Sequence, residues 1–313
     1  MSVPRFAIAA LVLLTLAAVP AGAQQGIRWG NNVSKGIAQA KKVKRPLMFW
    51  VLSSKSRRDD DVERDQRRAF ADRRVVNLSK RFVPVRLSRS QNPGLIKDWG
   101  LPRSTNLTIV FVSPSGEKID LIGPTGVSNA QSLAQKMSLV FRAYRRKLFS
   151  EQIQPKLVDP KTSLADLKTG LKWISEFTIL DADKTIVTLL ERPKLDASVR
   201  KGCLNILAQL STRPAVDALV GLAAENDADA IKTLAKCTPL GAEYMLDQLD
   251  LENADLFVPI YQAVTKITRI KRPKPLGFWN GKNERIKNEE IQRVRKHVQI
   301  VARRWRDRYE DYR

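Results

Sequence analysis

Thiols and imidazoles are scarce in this chain. Its 313 residues include two cysteines, Cys203 and Cys237, and a single histidine, His297. All three lie beyond residue 200, so the first half offers neither a thiolate nor an imidazole base. Thiol–disulfide exchange needs the former, and an activated serine ordinarily needs the latter. Acidic residues are few as well, 32 against 55 lysines and arginines, for a formal net charge of +23. Beyond the N-terminal segment there is no uninterrupted apolar run of the roughly 20 residues that a transmembrane helix needs.

What is present begins with a targeting pattern. Arg5 supplies a short positive region, Phe6 to Val19 an apolar one, and Ala21-Gly22-Ala23 a small-residue cleavage site before Gln24. That is the layout of a secretory signal peptide over residues 1–23. The expectation is a secreted or periplasmic mature chain. Apolar content of 43% is enough for a packed core, and the length suits about two domains.

Charge divides the chain into three. Residues 24–150 hold 26 basic and 9 acidic side chains, residues 151–265 hold 12 and 17, and residues 266–313 hold 16 and 6. Two basic blocks flanking an acidic one carry information about partners. Pro155, Pro160 and a polar stretch mark the first boundary.

The first block alternates between helix and strand patterns. Residues 33–43 read as an amphipathic helix, 47–53 as a buried strand and 59–80 as one long charged helix with Val62, Ala69, Phe70 and Val76 on its apolar face. "FVPVRL" (82–87) is a strand whose Pro84 places it at an edge or bulge. Residues 93–99 form a helical turn, "LTIVFV" (107–112) a third strand, and "SPSG" (113–116) a turn into a strand at 117–122. Residues 128–148 close the block with Leu133, Met137, Val140 and Tyr144 facing inward. The sum is an α/β layer sandwich.

"IAQAKKVKRPLMFWVLS", "NLSKRFVPVRL" and "LTIVFVSPSGEKIDLIGPTG", in that order, resemble the thioredoxin-like fold. Trp29 ahead of the first helix matches its secreted bacterial subgroup. The resemblance covers about residues 27–148, and the signature C-x-x-C is missing. It implies that the two redox cysteines would fall at about Ser56 and Asp59, and the family's cis-proline at Leu107, directly before Thr108. Neither half of that redox site remains. The loop "SSKS" (53–56) reads either as a solvated loop or as a Ser–Lys pair with Lys55. Asp59 to Asp61 read either as helix N-terminal acids favoured by the macrodipole or as hard-cation ligands.

The period changes after residue 160. Stretches 164–177, 183–193, 198–210, 213–225, 227–237, 241–249 and 254–268 all read as amphipathic helices. "VRKGCLNILAQLSTRPAVDALVGLAAE" resembles a HEAT-like helical pair, whose kind bury their cores only by stacking. Cys203 and Cys237 read as buried thiols or as a disulfide pair. A Pro- and Gly-rich loop leads to a last helix, about 284–310, with an apolar stripe of Ile291, Val294, Val298, Val301 and Trp305 and a basic outer face. That face reads as a solvated surface or a nucleic-acid footprint, though no nucleic-acid motif accompanies it. His297 shows no obvious partner in the sequence.

The resulting expectation is an exported protein with a redox-inactive thioredoxin-like domain at 24–150 and an all-α HEAT-like domain at 160–313. Each has its own periodicity and apolar faces. Its function is expected to be non-catalytic interaction or scaffolding with a protein or peptide, with no cofactor, metal or catalytic residue. The alternative is binding of an anionic envelope polymer through Arg57-Arg58, Arg67-Arg68, Arg73-Arg74, Arg145-Arg146 and Arg303-Arg304. A third reading is a redox-class enzyme with an atypical site.

Overall fold

The computed structural model describes residues 26–52, 57–102, 104–249, 251 and 253–309. The expected signal peptide, residues 1–23, and the loop at 53–56 lie outside the described residues.

The N-terminal region runs α1 (Val33–Val43), β1 (Leu47–Leu52), α2 (Arg57–Ala71), α3 (Arg73–Ser79), β2 (Val83–Ser88), α4 (Pro93–Asp98), β3 (Thr108–Val112), β4 (Lys118–Ile122), α5 (Pro124–Ser128) and α6 (Ala130–Leu148). The four strands make one mixed sheet in the order β2-β1-β3-β4, with β1 parallel to β2 and antiparallel to β3. Central strands β1 and β3 are buried almost throughout, as a sheet covered on both faces requires. Pro84 does sit on an edge strand. Its carbonyl accepts from Gly30 N at 2.9 Å, so the segment before α1 screens part of that edge. Ser113 to Glu117 close the β3–β4 hairpin, with Gly116 at φ 99° in a conformation that favours glycine.

The expected long helix over 59–80 is two. Asp72 leaves the helix, and its carboxylate caps the next one by accepting from Arg74 N and Val75 N. A short acceptor that satisfies the free N–H groups of a new helix competes with continuing the old one. The break also turns Val75 and Leu78 inward and leaves Val76 half-buried.

Two apolar layers sandwich the sheet. On one face, Phe49, Val51, Val85 and Leu87 pack with Ala40 of α1 and with Ile96 and Trp99 of and after α4. On the other, Met48, Trp50, Ile109 and Phe111 pack with α2, α3 and α6.

The remainder is helical. A π-turn, Phe149–Ile153, carries α6 into α7 (Gln154–Val158), with Pro155 in the first turn, where its missing N–H costs little. Then come α8 (Leu164–Phe177), α9 (Asp183–Leu190), α10 (Ala197–Leu210), α11 (Arg213–Ala224), α12 (Ala228–Leu234), α13 (Pro239–Met245), α14 (Ala254–Thr268), α15 (Leu276–Trp279) and α16 (Glu284–Tyr309). Successive helices stack: α10 on α8, α9 and α11, α11 on α13, and α13 on α14 and α16. Ile291, Val294 and Val298 of the expected stripe are buried, with Val301 and Trp305 half-buried. No helix among the described residues is long and apolar enough to cross a membrane.

The apolar cluster on the second face of the sheet does not stop at residue 150. It continues through Phe141, Leu148, Phe149 and Ile153 into Leu167, Leu171 and Phe177, and on to α16.

Candidate functional site

Beside Leu107, the position the resemblance assigns to the cis-proline, the structure holds a buried amide, two helical turns beyond Asp59. Gln66 of α2 is fully buried. Trp50 Nε1 of β1 donates to Gln66 Oε1 at 2.8 Å, and Gln66 Nε2 donates to Leu107 O at 2.6 Å and Pro124 O at 3.3 Å. One side chain thus ties the central strand, the turn into β3 and the start of α5. Leu107 is held in the left-handed region at φ 49°, a costly conformation for a non-glycine residue, and its carbonyl points to the Gln66 amide. Thr108 is buried and donates to Asn106 O. Asp59 lies in the first turn of α2. Around the network, Trp29 packs 5.5 Å from Trp50 and 5.1 Å from Phe70, and Arg86 lies over the Trp50 ring. The sequence reasoning missed Gln66. Its phase was the available signal, because it falls four residues after Val62 and three before Ala69 on the inward stripe.

The two thiols are elsewhere. Cys203 lies inside α10 and Cys237 just after α12, both free and both buried. Burial pushes each thiol up to about 12, in Cys237 against a hydrogen bond with Ser211 that favours the thiolate. At neutral pH both are protonated and shut from solvent, the opposite of a reactive cysteine.

The arginines named from the sequence fall into different environments. Arg67 pairs with Glu63, Arg68 with Asp65 and Arg74 with Asp72, all exposed. Exposed pairs of this kind hold charge loosely. Arg73, Arg303 and Arg304 are exposed. Only backbone is described for Arg57 and Arg58. Arg145 is not part of an outer face: it is buried, and its guanidinium donates to the carbonyls of Phe177 and Thr178, closing the C-terminus of α8. A buried cation needs such acceptors. Burial, together with nearby Arg81 and Arg142, pushes its ionisation down to about 10. His297, without a partner in the sequence reading, has its Nε2 3.0 Å from Thr268 O.

Two clefts stand out. The larger, about 740 Å³, lies between the end of α1, the β3–β4 turn and α6. Two of its lysines are engaged, Lys147 with Glu117 and Lys118 with Trp99 O. The second, about 460 Å³, opens where α6, α11, α13 and α16 meet and is lined by Arg142, Arg145, Arg146, Arg213 and Arg306. No group of three or more metal-ligating side chains is gathered among the described residues.

The final helix is anchored by another buried polar set. Tyr261 of α14 donates to Glu290 of α16 at 2.9 Å and accepts from Lys274 N at 2.7 Å. Arg293 holds the same carboxylate at 2.6 Å. The Pro-rich loop is thereby fastened to both helices.

Compared with known proteins, the chain matches no family model, and no curated protein is similar enough to it to count as a relative.

Proposed function

We propose that the chain is an exported, non-catalytic binding protein. In this reading a redox-inactive thioredoxin-like module, about residues 24–150, and a HEAT-like array, about 160–313, together hold a protein or peptide partner. The observation that carries the reading is the Gln66 network. Next to Leu107, where a thiol enzyme of this kind keeps its proline, this chain has Gln66 bridging Trp50, Leu107 and Pro124. Those groups hydrogen-bond one another and offer no thiol, leaving group or redox couple. The mixed sheet, with its parallel β1–β2 pair and its β3–β4 hairpin, supports the thioredoxin-like assignment. The stacking of α8 to α14 supports the array. Both module types offer extended binding surfaces, though fold alone does not select a partner.

The test is capture by the full mature chain from its source envelope, with cross-linking to map the contact. A stoichiometric partner whose cross-links fall on the array or the α/β module is expected. Recovery of the chain alone, at physiological salt and at protein excess, contradicts the reading.

A second reading, polyanion binding, is favoured by one observation. Arg73, Arg303 and Arg304 are exposed, and none has a carboxylate partner among the described residues. Such a surface attracts anionic polymers in a salt-dependent way.

A further inference from the structure

The cleft at the meeting of α6, α11, α13 and α16 concentrates cations. Five arginines line it, Arg142, Arg145 and Arg146 from α6, Arg213 from α11 and Arg306 from α16, against one carboxylate, Asp181. They come from sequence positions up to 164 residues apart, so the fold, and not a run of basic sequence, assembles them. Its volume of about 460 Å³ falls in the range of small-ligand sites.

The donors in this cleft are only partly used. A guanidinium has five N–H donors. Arg146 spends one on Asp181, Arg213 one on Asp247, Arg306 one on Glu243 and Arg142 one on Ser138. Those bonds fix each side chain and leave donors over. Mutual repulsion is only partly relieved: Arg81, Arg142 and Arg146 each disfavour the charged form of Arg145, and Asp181 favours it. A second observation points the same way. An adjoining cleft of about 390 Å³ shares Arg213 and Arg306, adds Arg295, and holds Glu243 and Asp247, the carboxylates already paired with Arg306 and Arg213. The Nε–H of Arg295 is buried and has no hydrogen-bond partner among the described residues. Buried donors are ordinarily satisfied, and an orphan calls for a missing acceptor.

We propose that these joined clefts are a binding site for a ligand carrying two or more phosphate-type oxyanions. The arginines converge from several sides of a cavity and do not form one flat row. That arrangement suits tetrahedral oxyanions, each of which can take several forks, better than a single planar carboxylate. This deepens the polyanion reading, resting on it for the sign of the ligand's charge, and replaces diffuse attraction by a site. The phosphates can be free or carried on a polymer.

The experiment is calorimetric titration of the full mature chain with tripolyphosphate, and in parallel with long-chain polyphosphate and heparin, at 50 and 200 mM NaCl. Saturable binding of tripolyphosphate is expected, weakened at least 10-fold in Arg142→Ala/Arg306→Ala. Arg142→Lys/Arg306→Lys, which keeps the charge and loses the fork, should fall between. Melting temperatures of both variants establish that they are folded. Lys35→Ala/Lys97→Ala, exposed on α1 and α4 away from the cleft, should bind as the parent does. Equal loss in that surface variant would leave only diffuse attraction and overturn the site without touching the polyanion reading. No binding of tripolyphosphate at 50 mM NaCl overturns the site. No binding of any of the three polyanions removes the polyanion reading as well. Heparin binding more tightly than both phosphates, with the same dependence on Arg142 and Arg306, overturns the phosphate assignment. A per-phosphate affinity that is equal for the short and long chains marks the free ligand as the source. A gain with length marks the polymer.

Discussion

Gln66 shows most plainly how a single residue sets what this module can do. A buried amide with three hydrogen bonds holds three elements in register, and removing it orphans the Trp50 indole N–H and the Leu107 carbonyl. Each orphaned buried group costs about 1–3 kcal/mol. Gln66→Leu is therefore expected to lower the unfolding free energy by roughly 2–4 kcal/mol in urea, although it makes the core more apolar. An unchanged midpoint would show that the network is ornamental. A second residue-scale expectation concerns Glu290. Burial opposes its ionisation, but the hydrogen bonds from Arg293 and Tyr261 outweigh this and hold the carboxyl below its ordinary range. A folded pKa below the unfolded one adds stability above roughly pH 4.3, and this is lost as pH falls through the folded value. Glu290→Gln should cost about 1–3 kcal/mol at pH 7, and the gap between variant and parent should close below about pH 4. A gap independent of pH would contradict that account. Neither residue was legible in the sequence as a network, because its long-range hydrogen-bond partners, 16 to 58 residues away, leave no local pattern. The candidate positions Leu107 and Thr108 were legible only through the resemblance.

Elements were far more readable than residues. The apolar periods of α1, α8, α10, α11 and α14 appear in the sequence with starts and ends close to those observed, because each helix is bounded by local chemistry. Asn32, Ser163, Asp196, Thr212 and Asn253 accept from backbone N–H groups at these helix starts. The α2–α3 break was not legible, since Asp72 reads as one more charged residue until its carboxylate is seen capping α3. Close approach between elements is also silent in a periodic pattern. A Cβ on Gly36 of α1 would come within 2.5 Å of a Val85 methyl on β2. Gly221 of α11 has nothing within 4 Å. Gly36→Ala should thus destabilise by about 1–3 kcal/mol through overpacking, while Gly221→Ala should stabilise by about 0.5–1 kcal/mol through helix propensity. The two changes are chemically identical. Thermal melts that shifted the same way would refute the close packing of α1 on the sheet.

The charge blocks make sense for the molecule as a whole. Arg146 of the first basic block pairs with Asp181 of the acidic one, and Arg306 of the last block pairs with Glu243. The acidic middle therefore helps to seat its basic neighbours, and arginines from all three blocks gather at their junction. That junction was invisible to a count along the chain. The shared core was equally hidden, because Pro155 and Pro160 read as a linker while Phe141 and Phe177, 36 residues apart, pack at 6.1 Å. Expressed separately, 24–150 and 160–313 should each fold, the first with mixed α/β circular dichroism and the second helical, since each has its own packed layers. Both should melt below the full chain, because the cut bares Phe141, Leu148 and Phe149. A fragment as stable as the whole would contradict the continuous core, and an unfolded one would contradict two modules. The central claim, that the α/β module binds and does no thiol chemistry, is tested most directly by insulin reduction with dithiothreitol as electron donor. The mature chain and its Cys203→Ser/Cys237→Ser variant are each compared with buffer. No acceleration by either is the expected result; turnover that disappears in the double variant would contradict it.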